Sequence, residues 1–217
     1  MSGYSRSPRT VRGAIVGFDI LNPVSRVVAF QYNPDEVSRS LKIQTGGGQG
    51  GAKAEALRLS GAPIETISMK VEMDATDQLA SGDSLATNLG IYPQLSALEM
   101  LLYPSSTSVI SNLVALAAGT IEVVPQEAVF TLLVWGKKRI VPVRIDSLSI
   151  TEQAHDINLN PIRAEVSLGL QVLSYDDFTA FHKGRYVYMA HQVIKEAMAV
   201  AGSLNNLGSA AGVGGIL

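Results

Sequence analysis

Between Ile162 and Val172 the chain alternates without an error: Ala164, Val166, Leu168, Leu170 and Val172 are apolar, while Arg163, Glu165, Ser167, Gly169 and Gln171 are polar or small. A period of two sends the two sets to opposite sides of a strand, which then has one dry face and one wet face. Antiparallel pairing suits this code, because a parallel strand covered by helices on both sides reads as a continuous apolar run. The code recurs at Ile67, Met69, Val71 and Met73, which are separated by Ser68, Lys70 and Glu72. Ala14, Val16, Phe18 and Ile20 form a third set, interrupted by Ile15. The expected fold class is therefore mainly β, an antiparallel sheet or β-barrel, and the function lies in what such a sheet binds.

Turn chemistry divides the chain further. Asn22 and Pro23 break the first strand from a second, whose inward face is Val28, Phe30 and Tyr32 and which Asn33 and Pro34 end. Gly46 to Gly51, five glycines and one glutamine, opens an aperiodic insertion over 44–62. Pro93 fits the first turn of a helix carrying Leu95, Leu98 and Leu102, which Pro104 stops. This flanking helix is expected to plug or cover the sheet. A second irregular insertion over 105–127 leads into a hairpin, Val129 to Trp135 and Arg139 to Ile150, turning at Gly136 and Lys137. In its second strand the apolar positions change parity, from Val141, Val143 and Ile145 to Leu148 and Ile150, which predicts a bulge near Asp146. The organisation expected is a β domain over 1–175 with insertions at 44–62 and 105–127. Asp176 or Asp177 then caps a C-terminal helix over 176–201, whose apolar face is Phe178, Phe181, Tyr188, Ile194 and Met198. A loose Gly/Ala tail follows over 202–217.

At 217 residues a single domain buries about 70 % of the surface its unfolded chain exposes. Seventeen basic and nineteen acidic side chains give a net charge of -2, so no global field draws the chain to nucleic acid or anionic lipid, and protein partners are expected. The absence of cysteine excludes disulfides, thiolate metal sites and thiol nucleophiles, and fits a reducing compartment. Arg6, Arg9 and Arg12 precede an apolar stretch as in a signal peptide, but Gly17 and Asp19 interrupt it. Val109 to Val124 falls short of the roughly 20 residues that span a bilayer and contains Asn112 and Glu122. No membrane anchor is expected.

Chemistry is sparse. His155, His182 and His191 are the histidines; the last two lie nine residues apart on the closing helix and face largely opposite ways, unlike the i, i+4 ligands of a metalloprotease. Asp74, Asp77 and Asp83 could attract a cation, but they read better as caps and turns around a short helix beginning near Thr76. Gly46, Gly48 and Gly51 match a dinucleotide fingerprint by letter, whereas that fingerprint works only after a buried parallel strand. Lys183, Arg185, Tyr186 and Tyr188 read as a solvated helix face rather than a nucleic-acid platform. No cofactor, metal or catalytic residue is assigned.

Three blocks together resemble the contractile injection system tube-protein family. They are Phe30-Gln31-Tyr32-Asn33-Pro34 with 37–40 behind it, the run from Gly61 through Met73 to Asp77 that includes Asp74, and Phe130 to Trp135-Gly136 followed by the strands from Val143 to Leu173, which hold Arg163. The match runs in order over about residues 11–178, and the first block is its most specific piece. That family includes the N-terminal domain of a LysM-bearing inner-baseplate protein of phage-tail-like particles; only a Gly/Ala tail follows the closing helix in these 217 residues, so no LysM module is expected and peptidoglycan binding is not implied. The resemblance implies a tail-tube type of β-barrel and not an enzyme. It further implies a homo-hexameric ring, assembled in the bacterial cytoplasm as part of a phage-tail-like injection particle, that joins the inner tube or tube-initiator protein to a trimeric VgrG-like hub and spike. The baseplate layer is preferred because two insertions and a closing helix exceed what a plain stacking barrel needs. A tube or tube-initiator ring, a nucleotide-using enzyme and a monomeric glycan-binding or ligand-binding barrel are the competing readings. The polar faces at Arg163, Glu165, Ser167 and Gln171 and at Thr66, Ser68, Lys70 and Glu72 read either as a wet channel wall or as ordinary solvent surface.

Overall fold

The computed structural model describes residues 12–18, 26–45, 59–104, 106–119 and 128–210. The strands are β1 (Ala14–Phe18), β2 (Arg26–Ala29), β3 (Val37–Lys42), β4 (Ile64–Asp74), β5 (Phe130–Trp135), β6 (Arg139–His155) and β7 (Pro161–Val172). Helices α1 (Thr76–Ala80), α2 (Ser84–Leu89), α3 (Tyr92–Glu99) and α4 (Ser106–Ala117) lie between β4 and β5, and α5 (Lys183–Ala210) closes the chain. All pairings are antiparallel, in one seven-stranded sheet of order β2-β1-β5-β6-β7-β4-β3.

The alternation in β4 and β7 becomes the core as expected. Ile67, Met69, Val71 and Met73 lie beside Leu170, Leu168, Val166 and Ala164 in register, all buried. The bulge predicted near Asp146 is present, since the β6–β7 register slips between Ile145 and Ser147. It lets Ile145 and Leu148 both pack on the core.

The sheet is mainly β and antiparallel as expected, but among the described residues it is not a closed barrel: β2 pairs with β1 and β3 with β4, leaving two edges. On the core side of β3, Arg39 separates Val37 from Leu41 and pairs with Glu65, and Leu41 is 52 % exposed, so this edge offers β2 only a broken apolar face.

Several local expectations are corrected. In β1 the inward residue is Ile15, fully buried, while Phe18 is 43 % exposed. Gly13 and Gly17 share the side of Ile15 and are buried as well. A Cβ on Gly13 would sit 2.8 Å from both Phe30 and Trp135, and one on Gly17 would collide with Leu101. The parity is hidden because two of the three residues on this inward face have no side chain. In the second strand Val28 and Phe30 point inward, but Tyr32 is 48 % exposed, because β2 ends at Ala29.

Helix α3 has its proline in the first turn and buries Leu95 and Leu98. It ends at Glu99, however, so Leu101 enters the core and Leu102 stays exposed. The stretch read as irregular over 105–127 contains α4. The closing helix begins at Lys183 rather than near 176, and residues 202–210, expected to be loose, continue it. Asp176 and Asp177 hold turns instead of a helix cap: Asp176 Oδ2 accepts from the Ala62 N–H at 3.0 Å, and Asp177 Oδ2 accepts from the Ser174 N–H at 2.7 Å. Phe181, assigned to the apolar face, is 90 % exposed. The glycine-rich run 46–51 and tail residues 211–217 lie outside the described residues. The ends of the 44–62 insertion are tied together, with the Ser60 N–H donating to the Gln44 carbonyl at 3.0 Å and Gln44 Nε2 to the Ala62 carbonyl at 2.9 Å.

Candidate functional site

The first sequence block is a structural clamp. Phe30 is fully buried, its ring 6.3 Å from that of Trp135, and its N–H donates to the Gly13 carbonyl at 2.8 Å. Asn33 Oδ1 accepts from the Gly13 N–H at 2.9 Å, and Gln31 Oε1 accepts from the Asp74 N–H at 3.0 Å. The block therefore ties the start of β1 to the end of β4, two strands far apart in the sheet order. Tyr32 and Pro34 are left at the surface beside the polar face of β4.

Asp74 Oδ1 accepts from the Thr76 N–H at 2.7 Å and from the Thr76 hydroxyl. These hydrogen bonds, with Arg163 nearby, hold its carboxyl below the usual value. Asp83 caps α2 through the Leu85 and Ala86 N–H groups, each at 2.9 Å. The acidic run thus works as turns and caps, as its spacing suggested. Asp77 sits exposed in the first turn of α1. Arg163 faces Glu72 at 3.5 Å and Asp74 at 3.8 Å. Gly136 takes φ +70 in the β5–β6 turn, a backbone state open to glycine.

The candidate residues do not converge on a catalytic constellation. What they border is the wet side of β3, β4, β7 and β6, where the register builds rows across four strands. Ser38, Ser68, Gly169 and Ser147 form one row, and Ser40, Thr66, Gln171 and Arg144 form the next. Gly169 leaves room in its row for the Ser147 hydroxyl, which would have to turn away from an added Cβ. Lys70 pairs with Glu165 at 2.9 Å, and Arg144 donates to Gln171 at 2.7 Å. These exposed pairs add little stability, about 0–1 kcal/mol each. They leave the face hydroxyl-rich and mixed in charge. A groove of about 650 Å³ runs over it, walled on one side by Tyr32, Pro34 and Glu36.

Beyond this face the β6–β7 hairpin ends in a tight tip. Asp156 Oδ1 accepts from the Asn158 N–H at 2.7 Å and the Asn160 N–H at 2.8 Å, and Oδ2 from Asn160 Nδ2 at 2.8 Å. Hydrogen bonding from Asn160 pushes the Asp156 pKa down. The braced turn holds Leu159 at φ 64 and presents Ile157, 98 % exposed, and Leu159, 80 % exposed.

Nothing local in the sequence marks a second polar cluster, which docks α5. Glu65 is 6 % exposed on the core side of β4 and receives Arg39 of β3 at 2.7 Å and Lys195 of α5 at 3.0 Å. Burial acts to raise its pKa, but the bonds from Lys195 and Arg39 outweigh it and hold the carboxyl below its usual value. His191, 5 % exposed, has its pKa pushed below 6.5 by burial first and then by Lys195; the Lys138 backbone and Glu65 oppose this, and Arg139 adds to it. His182 lies before α5 and stacks on Phe178 with ring centroids 4.7 Å apart, so it does not share a helix with His191. Tyr188 is buried against Tyr175, which splits the basic-aromatic cluster of the sequence.

Both shifts have the same consequence on acidification. A depressed imidazole means the unfolded chain binds the proton more readily, so the contribution of His191 is present above pH 6.5 and lost as pH falls below it. The contribution of Glu65 is present above about pH 4.5 and lost as pH falls further. Thermal melts from pH 7.5 to 3.5 should fall in two steps, and His191→Gln should flatten the upper one alone. An unchanged upper step in that variant would show that another group titrates there.

Residues 19–178 match the family model described as contractile injection system tube protein. No curated protein matches. Among solved structures, the tail of an empty GTA particle, computed with helical refinement in C6 symmetry, is similar at 10 % identity and a TM-score of 0.28. That likeness covers 74 % of this chain and 90 % of that one.

Proposed function

Because this chain belongs to the contractile injection system tube protein family, a family of structural components of phage-tail-like particles, we propose that it acts as a baseplate adaptor. Six copies form a ring that joins the inner tube, or its initiator, to a trimeric VgrG-like hub. The observation that carries this reading is the open sheet, whose edges at β2 and β3 are unpaired among the described residues. Unpaired edges are hazardous in a lone molecule and become adhesive when a sister copy extends the sheet. Repeating one heterologous edge contact around six copies closes a ring, with rotation by about sixty degrees at each step. The hydroxyl-rich face of β3, β4, β7 and β6 then lines the lumen as a wet wall of mixed charge.

Two features support the baseplate layer over a repeated tube ring. α4 and the far half of α5 bury no described side chain, and the Ile157–Leu159 tip offers a rigid apolar plug toward an adjacent layer. No helix among the described residues is long and apolar enough to cross a membrane. In this reading the ring assembles in the bacterial cytoplasm, before any release of the particle.

Electron cryomicroscopy of intact particles carrying this chain tests the reading. The expected image holds a single six-copy layer between tube and hub, with the β4–β7 polar face toward the lumen. Copies repeated along the whole tube would replace the adaptor by the tube protein, and copies absent from the central conduit would end both readings.

A further inference from the structure

Two helices of this chain carry apolar stripes that no other described residue buries. In α4 none of the described side chains is buried; Ile110, Leu113, Val114 and Leu116 are 55–63 % exposed, and its 12 residues include no charged group. In α5 the buried contacts are Gly184, Tyr188 and His191, and no described side chain after His191 is buried. At 100° per residue, Tyr186, Ala190, Val193, Ala197, Val200 and Leu204 all lie within roughly 60° of the direction opposite Tyr188. Their spacing of four, three, four, three and four is the seam of a left-handed helix pair, with large and small side chains in partial alternation. Val109, Leu113 and Leu116 repeat the same four-three step on α4.

We propose that α4 of one copy packs into the α5 seam of the neighbouring copy. This rests on the ring reading. A heterologous ring contact needs two different surfaces on every copy in equal number, and α4 and the α5 seam are such a pair, uncharged on both sides so that no ion is stripped of water. Neither stripe is buried by the described residues of its own chain. A 12-residue helix and the far part of a 28-residue helix about 42 Å long are marginal in water without a partner. One mutual contact answers for both.

The absence of native cysteine allows a direct test. Leu113→Cys with Val193→Cys, and Ile110→Cys with Val200→Cys, are introduced at exposed positions in the full chain within assembled particles. These are treated with a flexible bis-maleimide able to span the about 8–10 Å between packed helix axes. The expected result is a ladder of intersubunit products from at least one double variant and none from the single variants. A product from Val193→Cys or Val200→Cys alone would mean that α5 pairs with itself and would overturn the proposal. No product from either pair, with six-fold rings still visible in micrographs of the same particles, overturns the helix docking and leaves the ring reading intact. Particles without any ring of this chain remove both.

Discussion

Phe30→Ala should destabilise the isolated protein by about 3–5 kcal/mol, the range for deleting a fully buried aromatic ring from a packed core. Phe30 has no exposed surface, and its ring fills the space that Gly13 leaves against Trp135. The cavity would open where the Gln31 and Asn33 side chains join β1 to β4, so collapse around it is restricted by the hydrogen bonds on either side. Tyr32→Ala, one position from Asn33 but 48 % exposed, should change stability by less than about 0.5 kcal/mol in the isolated chain. Urea denaturation of both variants checks the pair. A loss below about 1 kcal/mol for Phe30→Ala would show that the block is not the clamp described, since even small core deletions reach that range.

Gly90→Ala should destabilise by about 3 kcal/mol or more. Gly90 links α2 to α3 with φ 58 and ψ -134, a region that residues with a Cβ scarcely enter, and such strain costs about 1–3 kcal/mol. An added Cβ also collides with the Pro161 carbonyl, the group that accepts the Ile91 N–H at 2.8 Å. Overpacking against backbone adds about 1–3 kcal/mol, and here the backbone cannot move without releasing that hydrogen bond. Gly82→Ala is the matched control: its φ is +73, but nothing stands within 4 Å, so only the left-handed penalty of about 1–2 kcal/mol remains. Equal midpoints for the two variants would mean that the close approach to Pro161 has no weight.

These variants separate what is local from what is not. The dry faces of β4 and β7 were legible because burial on one side imposes a period of two on the residues themselves, and the Asp146 bulge was legible as a break in that period. β1 was not legible because two of the three residues on its inward side are glycine; Gly13 and Gly17 acquire meaning only from Phe30, Trp135 and Leu101, which come from elsewhere in the chain. The α4 stripe at Val109, Ile110, Leu113, Val114 and Leu116 does have helical spacing, and its serines and β-branched residues masked it. The candidate block at 30–34 was visible as a motif, but its role as a clamp was not, since Gly13 and Asp74 are distant in sequence.

By itself the amino-acid order determined the strands with one wet face, the turns between them, the absence of thiol chemistry and the family. Tertiary structure alone decided the strand order β2-β1-β5-β6-β7-β4-β3, the open edges, and the meeting of Glu65 with Arg39 and Lys195. The division has a physical cause: periodicity and turn preference act between residues a few positions apart, whereas pairing partners and buried ion contacts are chosen by how distant segments share one core.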